Sequence, residues 1–457
     1  MSASSPVKIH FLGATGTVTG SKYLIESMFQ NIMIDCGLFQ GVKELRKKNW
    51  ESLPVNADAV DLLLLTHGHL DHIGFIPRFI KTGFNGPILG TKPTLDIAQI
   101  ILLDSAKIHE EEAEKANKEG YSKHQPAAPL YTIKDAEKAI AHFKVVPEGE
   151  DIDLAEGIRA KFMYNGHIIG STFIELTLQD KVYVFSGDIG RKQDFLMRSP
   201  KRPTRADYLF VESTYGDRLH PTDDPKEQLK QTVLKTIEKG GSLIIPSFAV
   251  ERTQTIMYLL WQLKAEKEIP DIPMVMDSPM GANVLSVFEN NQDWHKLSHV
   301  ECAHMCDAFK IVSAYKETWE TIDDPTPKII IAGSGMVTGG RVLTYLKYAI
   351  QKPETTVLLV GYQAECSRGR KILDGEKEVK IYGKWFDVKA DVEHIEVLSS
   401  HADQSEVLDW LSEIKSPPKT IFIIHGEPNA SETLKEKIKD VYGWNATVPE
   451  LLSIAQV

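Results

Sequence analysis

Cysteine is scarce. The 457 residues contain four, Cys36, Cys302, Cys306 and Cys366, too few and too scattered for a disulfide framework, so a reducing compartment is expected. No uncharged run approaches the ~20 residues that a membrane span requires, and the opening MSASSPVKIH lacks the apolar stretch of a secretory signal. A cytoplasmic chain without membrane contact is therefore expected. Positive charge is also in deficit: 52 Lys and Arg against 63 Asp and Glu give a net charge of −11. That balance disfavours indiscriminate adhesion to nucleic acid but leaves room for a local basic groove. Fixed-period repeats and low-complexity segments are absent. The composition, 42% hydrophobic and 25% charged, is that of a globular protein. At roughly 150 residues per domain, the length suits two or three domains.

From Val7 to about Asp207, short apolar runs such as KIHFLG, YLIES, NIMIDCG and LLLLTHG alternate with glycine and polar clusters, which predicts strands. GATGTVTGS at 13–21 invites comparison with a dinucleotide fingerprint. That motif needs a helix after its glycines, whereas SKYLIES and NIMIDCG read as strands, so a hairpin loop is predicted. Residues 104–142 are charged and helix-favouring, as solvated surface helices would be. From about 216 to 384 the pattern becomes strand, loop, helix, repeated: GSLIIPS then FAVERTQTIMYLLWQL, PMVMDSP then MGANVLSVFE, KIIIAGSG then MVTGGRVLTYLKYAI, TVLLVGYQ then AECSRGRKIL. Such alternation predicts a parallel sheet flanked by helices. The tail returns to strand, helix, strand and is short for a domain of its own. The predicted organisation is a first part over 1–215, an inserted doubly wound domain over 216–385 and a closing part over 386–457.

The stretch THGHLDH places His67, His69, Asp71 and His72 within six positions, directly after the apolar run 61–65. Three imidazoles and a carboxylate on a strand-to-helix turn can converge on one point, and this donor set suits zinc. His167, Asp188 and His425 each follow an apolar run as well. Together with the first cluster they supply enough nitrogen and oxygen donors for two metal ions, and the two oxygens of Asp188 allow it to bridge them. Cys302 and Cys306 flank His304, but no further donors stand nearby in the sequence, and buried thiols are the commoner state.

HGHLDH, with Asp35 upstream and His167 and Asp188 downstream, resembles the metallo-beta-lactamase superfamily, and VESTYG, SSHAD and HGE resemble its beta-CASP ribonucleases. The likeness spans nearly the whole chain and is nearest to the single-chain prokaryotic relatives of the cleavage and polyadenylation endonuclease. GATGTVTGS, PSFAVERTQ, DSPM and GSGMVTGGR are similar to signatures of that group. The resemblance implies an α/β chain: an αββα sandwich with the beta-CASP domain inserted as a cap over the metals. It implies two Zn2+, one held by His67, His69 and His167, the other by Asp71, His72 and His425, with Asp188 shared. Asp35 would brace the histidine loop, although an aspartate there also suits a plain turn. Glu212, His401 and Asp71 are the implied catalytic residues, with His401 as general acid oriented by Glu212. A histidine titrating near neutrality can protonate an alkoxide leaving group. Alternatively, His401 only precedes the helix ADQSEVLDWL, which Ser400 would cap.

The implied activity is hydrolysis of single-stranded RNA, endonucleolytic or 5′-to-3′ exonucleolytic, in RNA processing or decay, leaving a 5′-phosphate and a 3′-hydroxyl. The implied preference for RNA follows from the histidine, here His425, at the family's third motif. A homodimer is consistent with the resemblance. Candidate phosphate contacts at the strand ends of the inserted domain are Ser247, Arg252, Thr253, Gly333, Ser334, Gly335, Met336, Ser367, Arg368 and Arg370. The same residue types also make ordinary turns and helix caps. Arg191, Lys192, Arg198, Lys201, Arg202 and Arg205 form a basic cluster that would give a positive rim or a solvated loop. Two other readings remain: a thioester or ester hydrolase on the same scaffold, and a catalytically silent RNA-binding subunit.

Overall fold

The computed structural model describes residues 6–120, 124–364 and 367–457. Cys366 and the first five residues lie outside them. The chain forms two compact units, Met1–Leu219 with His401–Val457, and His220–Ser400.

The first unit holds two seven-stranded sheets. Along Ile158–Tyr164 every second side chain is buried, the period-two pattern of a strand with one face in a core. One sheet runs Ile454–Gln456, Lys8–Phe11, Tyr23–Glu26, Asn31–Ile34, Leu62–Leu64, Ile88–Gly90, Phe143–Val145; the other runs Ala446–Thr447, Thr420–Ile424, Tyr208–Glu212, Lys181–Phe185, Thr172–Leu178, Ile158–Tyr164, Asp151–Ala155. Their inner faces share one core, in which Phe185 stacks on Phe210 at 4.0 Å and Phe210 on Phe422 at 4.9 Å. Outside the second sheet, Val184, Leu209, Val211 and Ile423 pack with Val407, Trp410, Leu434 and Ile438 of the helices Gln404–Leu411 and Pro428–Tyr442. The charged stretch 104–142 falls on two helices, Lys92–Glu119 and Ile133–Ile140, which pack on one another; the first starts before the charged run and buries Leu95, Ile97 and Leu102. GATGTVTGS forms the loop between the paired strands Lys8–Phe11 and Tyr23–Glu26.

The second unit is a six-stranded parallel sheet in the order Lys310–Val312, Met274–Asp277, Ile329–Ala332, Leu243–Pro246, Thr356–Val360, Asp391–Ile395. The last strand corrects the expected boundary at 385/386. Asp391–Ile395 pairs in parallel with Thr356–Val360, so the unit runs to Ser400. The sequence HIEV carries no mark of which sheet it joins, because its register partner lies far upstream. Among the described residues no helix is long and apolar enough to cross a membrane.

Candidate metal centre

The chemistry-bearing residues of the first unit stand at strand ends. Asp35 follows Asn31–Ile34, His67 follows Leu62–Leu64, His167 follows Ile158–Tyr164, Asp188 follows Lys181–Phe185, Glu212 ends Tyr208–Glu212 and His425 follows Thr420–Ile424. His69 is the N-cap of the short helix Leu70–Ile73, which carries Asp71 and His72. Asp35 and His425 both adopt left-handed backbone, φ 55° and 49°, which is uncommon outside glycine and clusters at functional sites. Gly187, φ 54°, lets the loop before Asp188 approach closely: a Cβ there would lie 2.7 Å from Thr66 Cβ.

Two sets of donor atoms result. His67 Nε2 lies 3.1 Å from His69 Nδ1, His167 Nε2 lies 3.2 Å from that same atom, and both Nε2 atoms are 3.4 Å from Asp188 Oδ2. In the second set His72 Nε2 is 3.2 Å from His425 Nε2 and 3.2 Å from Asp188 Oδ1, while His425 Nε2 is 3.3 Å from Asp71 Oδ2. A tetrahedron of ligands at ~2.0–2.1 Å from zinc has edges of about 3.3–3.4 Å. Both sets therefore fit a divalent cation, and Asp188 gives one oxygen to each.

The atoms behind these donors fix their tautomers. Thr66 Oγ1 donates to Asp35 Oδ2 at 2.7 Å and so accepts from His67 Nδ1 at 3.1 Å, leaving the His67 Nε2 lone pair for a ligand. His72 Nδ1 donates to Asp35 Oδ2 at 2.7 Å, and Thr214 Oγ1 sits 3.2 Å from His425 Nδ1. Such outer partners hold ligating imidazoles in orientation. Nothing in the local sequence marks Thr66 or Thr214 as partners of these rings; their proximity arises only in three dimensions.

Burial pushes the His67 imidazole down to about 3 and that of His69 to about 4, so both are neutral and able to ligate. At His72 burial acts the same way, but the Asp188 and Asp35 carboxylates outweigh it and raise the pKa well above the ordinary value. The second set thus favours positive charge, as a pocket for a cation must.

Beside the donors, His401 Nδ1 lies 3.3 Å from Glu212 Oε1, and the rings of His401 and His167 are 4.4 Å apart. Glu212 is fully buried, and its carboxylate accepts from Ile189 N at 2.6 Å and Thr214 N at 3.2 Å. Burial lowers the His401 pKa, but the facing Glu212 carboxylate outweighs this and raises it above the ordinary value.

The chain matches the metallo-beta-lactamase superfamily over residues 15–247, the Beta-Casp domain over 253–372 and the Zn-dependent metallo-hydrolase RNA specificity domain over 385–449. It belongs to the metallo-beta-lactamase superfamily, in its beta-CASP branch. It is 32% identical to Ribonuclease TTHA0252 of Thermus thermophilus, over 91% of this chain and 92% of that one. It is 27% identical to the transcription termination factor FttA of Methanocaldococcus jannaschii, over 99% of this chain and 72% of that one. Among solved structures, a protein of unknown function from Enterococcus faecalis V583 shares the fold, with a TM-score of 0.55 at 13% identity over 99% of this chain and 100% of that one.

Within the beta-CASP unit, the phosphate-contact expectation is corrected in part. Ser247 and Thr253 are buried, each 1% exposed; Thr253 Oγ1 donates to Phe248 O at 2.6 Å and lies 3.0 Å from Ser247 Oγ, so both hydroxyls close the loop on itself. Ser367 caps the helix Arg368–Leu373 by accepting from Arg370 N, and Gly335 is buried against Phe248. Arg252 donates to Val360 O at 2.8 Å and Arg368 to Lys380 O at 2.7 Å, while Arg370 pairs with Asp374 at 2.9 Å. Gly333, Ser334 and Met336 remain partly exposed, and Ser334 Oγ accepts from Thr338 N and Gly339 N. The basic cluster of the first unit is largely paired: Lys192 and Arg202 with Asp409, Arg202 with Glu413, Lys201 with Glu148, Arg205 with Asp207, Arg191 with Glu406. It is no open positive rim. The spacing of Cys302, His304 and Cys306 on the helix His299–Asp307 yields no metal-donor group among the described residues.

Proposed function

We propose that this chain is a ribonuclease that hydrolyses phosphodiester bonds of single-stranded RNA at a centre of two zinc ions. The observation that carries this reading is the pair of tetrahedron-sized donor sets joined by Asp188 beside the His401–Glu212 couple. His67, His69 and His167 would hold one ion, Asp71, His72 and His425 the other, with Asp188 common to both. When bound, the ions supply charge that stabilises an in-line phosphoryl transition state and make a nucleophile available from water near neutral pH.

The side chains then have separate tasks. Asp35 and Thr66 keep His67 and His72 turned toward the centre. With Nδ1 tied to Glu212, His401 presents Nε2 to the leaving 3′-oxygen and hands it a proton. The buried carboxylate of Glu212 orients that imidazole and offsets its charge while it is protonated. The similarity to a protein named a ribonuclease, and the match to an RNA specificity domain, support RNA over acyl substrates. Gly333, Ser334 and Met336 would line the phosphate path of the beta-CASP unit.

The test is metal analysis together with digestion of end-labelled RNA carrying a 5′-phosphate or a blocked 5′ end. Stepwise products from the 5′-phosphate substrate alone mark exonuclease action, and internal products from both mark endonuclease action. A fully metallated protein that cuts neither substrate overturns the proposal.

A further inference from the structure

The exposed large hydrophobic residues of the second unit are almost all aromatic: Phe248, Tyr315, Trp319, Tyr348, Tyr362, Tyr382 and Trp385, with Val300 the one aliphatic among the described residues. Those of the first unit are mostly aliphatic or Met. Four of the aromatic rings form one chain. The Tyr315 hydroxyl is 3.3 Å from Thr344 Oγ1, which is 3.1 Å from the Tyr382 hydroxyl. On the same two helices, Tyr315–Asp323 and Val342–Ala349, Trp319 and Tyr348 meet edge to face at 5.5 Å. Each is one turn along from the Tyr315–Thr344 contact, as the i, i+4 spacing dictates. Cations flank the rings: the Arg341 guanidinium lies 4.1 Å from the Tyr315 ring centre and Lys347 Nζ 4.8 Å from that of Tyr348.

We propose that Tyr382, Tyr315, Tyr348 and Trp319, with Lys347 beside them and Arg341 holding Tyr315 in place, form a stacking path for the bases of single-stranded RNA on the second unit. The inference rests on the ribonuclease reading and adds a second RNA-contacting surface to it. Single-strand binders combine aromatic platforms with cations that track the phosphates, because every base offers a π-face.

The position agrees. Tyr315 lies just past the strand Lys310–Val312 and Arg341 just past the loop that follows Ile329–Ala332, so both stand at the carboxyl edge of a parallel sheet, where ligands collect. The rings are also held in place. Thr344 is buried and tethers two hydroxyls, while Asp277 Oδ1 accepts from Arg341 at 3.2 Å and fixes the guanidinium over Tyr315. Tyr315, Trp319, Tyr348 and Tyr382 nevertheless remain 38–55% exposed. Prealigned rings lose little conformational entropy on binding.

The experiment uses the metal-loaded full-length chain. Cleavage of a long unstructured RNA and of a very short oligonucleotide is compared for the parent, Trp319→Ala with Tyr348→Ala, and Trp319→Phe. Ultraviolet crosslinks to the long RNA are mapped by mass spectrometry in parallel. The double variant is expected to raise KM for the long RNA about tenfold or more. Its kcat and its action on the short substrate should stay at the parent value, and Trp319→Phe should behave as the parent. Crosslinks should fall on the peptides carrying Trp319, Tyr348 or Tyr382. A parent that cleaves RNA while the double variant matches it on the long substrate, with no crosslinks on those peptides, overturns the stacking path and leaves the ribonuclease reading intact. Loss of self-association in the double variant with RNA kinetics unchanged overturns it in favour of a protein interface. A metallated parent that neither binds nor cuts RNA overturns both.

Discussion

His72 and His425 bring their Nε2 atoms to 3.2 Å of one another although 353 residues separate them in the chain. Two imidazole lone pairs at that distance repel unless a proton or a metal lies between them. The Nδ1 of His72 is already tied to Asp35 and that of His425 faces Thr214, so rotation offers neither ring relief. The juxtaposition has a chemical meaning only if a cation is shared, and the first prediction follows from it.

Asp188→Asn removes charge from both donor sets at once. Metal content measured by inductively coupled plasma mass spectrometry should fall for both ions, whereas Asp71→Asn should lower only the second. Equal retention by Asp188→Asn and the parent would contradict the bridging role.

His401→Ala should lower kcat by about 10²–10⁴, the usual contribution of a positioned acid, with metal content unchanged. Glu212→Gln keeps the shape of the buried side chain but removes the charge that raises the His401 pKa. Because His401 acts in its protonated form, the alkaline limb of the pH–rate profile should therefore move to lower pH. An unchanged profile would remove Glu212 from the orienting role.

Lys22 is fully buried, donates to the carbonyls of Gly20 and Gly37, and lies between the rings of Phe39 and Phe75. Burial lowers its pKa from 10.5 to about 8. Below pH 8 both folded and unfolded chains carry the proton. Between 8 and 10.5 only the unfolded chain does, so the contribution of Lys22 to stability rises with pH across that window, by about 3 kcal/mol. Burial pushes the Cys36 thiol up to about 12, which acts in the opposite sense at higher pH. The difference between parent and Lys22→Met in denaturant titrations isolates the lysine, and a difference that does not widen between those pH values would contradict this assignment.

Because Lys192, Lys201 and Arg202 face acidic partners within the first unit, Arg202→Gln with Lys192→Gln should leave the salt dependence of KM for RNA unchanged. Stability should fall by no more than the ~0.2–1 kcal/mol typical of exposed pairs. A drop in the salt slope would return the cluster to the RNA path.

The elements legible in the sequence were those written in local pattern. THGHLDH announced a donor cluster because its spacing is compressed into one turn, and the alternation of strand and helix from GSLIIPS onward announced a parallel sheet. The strand Asp391–Ile395 was assigned to the wrong sheet because pairing is decided by a partner upstream, which no local run reveals. Ser247 and Thr253 read as phosphate ligands because hydroxyls beside glycines serve both ligands and loop closure; only their burial separates the two. The pairing of the basic cluster escaped for a related reason. Asp409 and Glu413 lie far along the chain, and charges read in a window are never seen with their long-range partners.

The interruption of the first unit sets an order on the ribosome. Leu62–Leu64 and Lys181–Phe185 are synthesised early, but His425 and the strand Ile454–Gln456 that pairs with Lys8–Phe11 emerge only after the whole of the second unit. A nascent or prematurely terminated chain therefore lacks His425 and cannot assemble the second donor set.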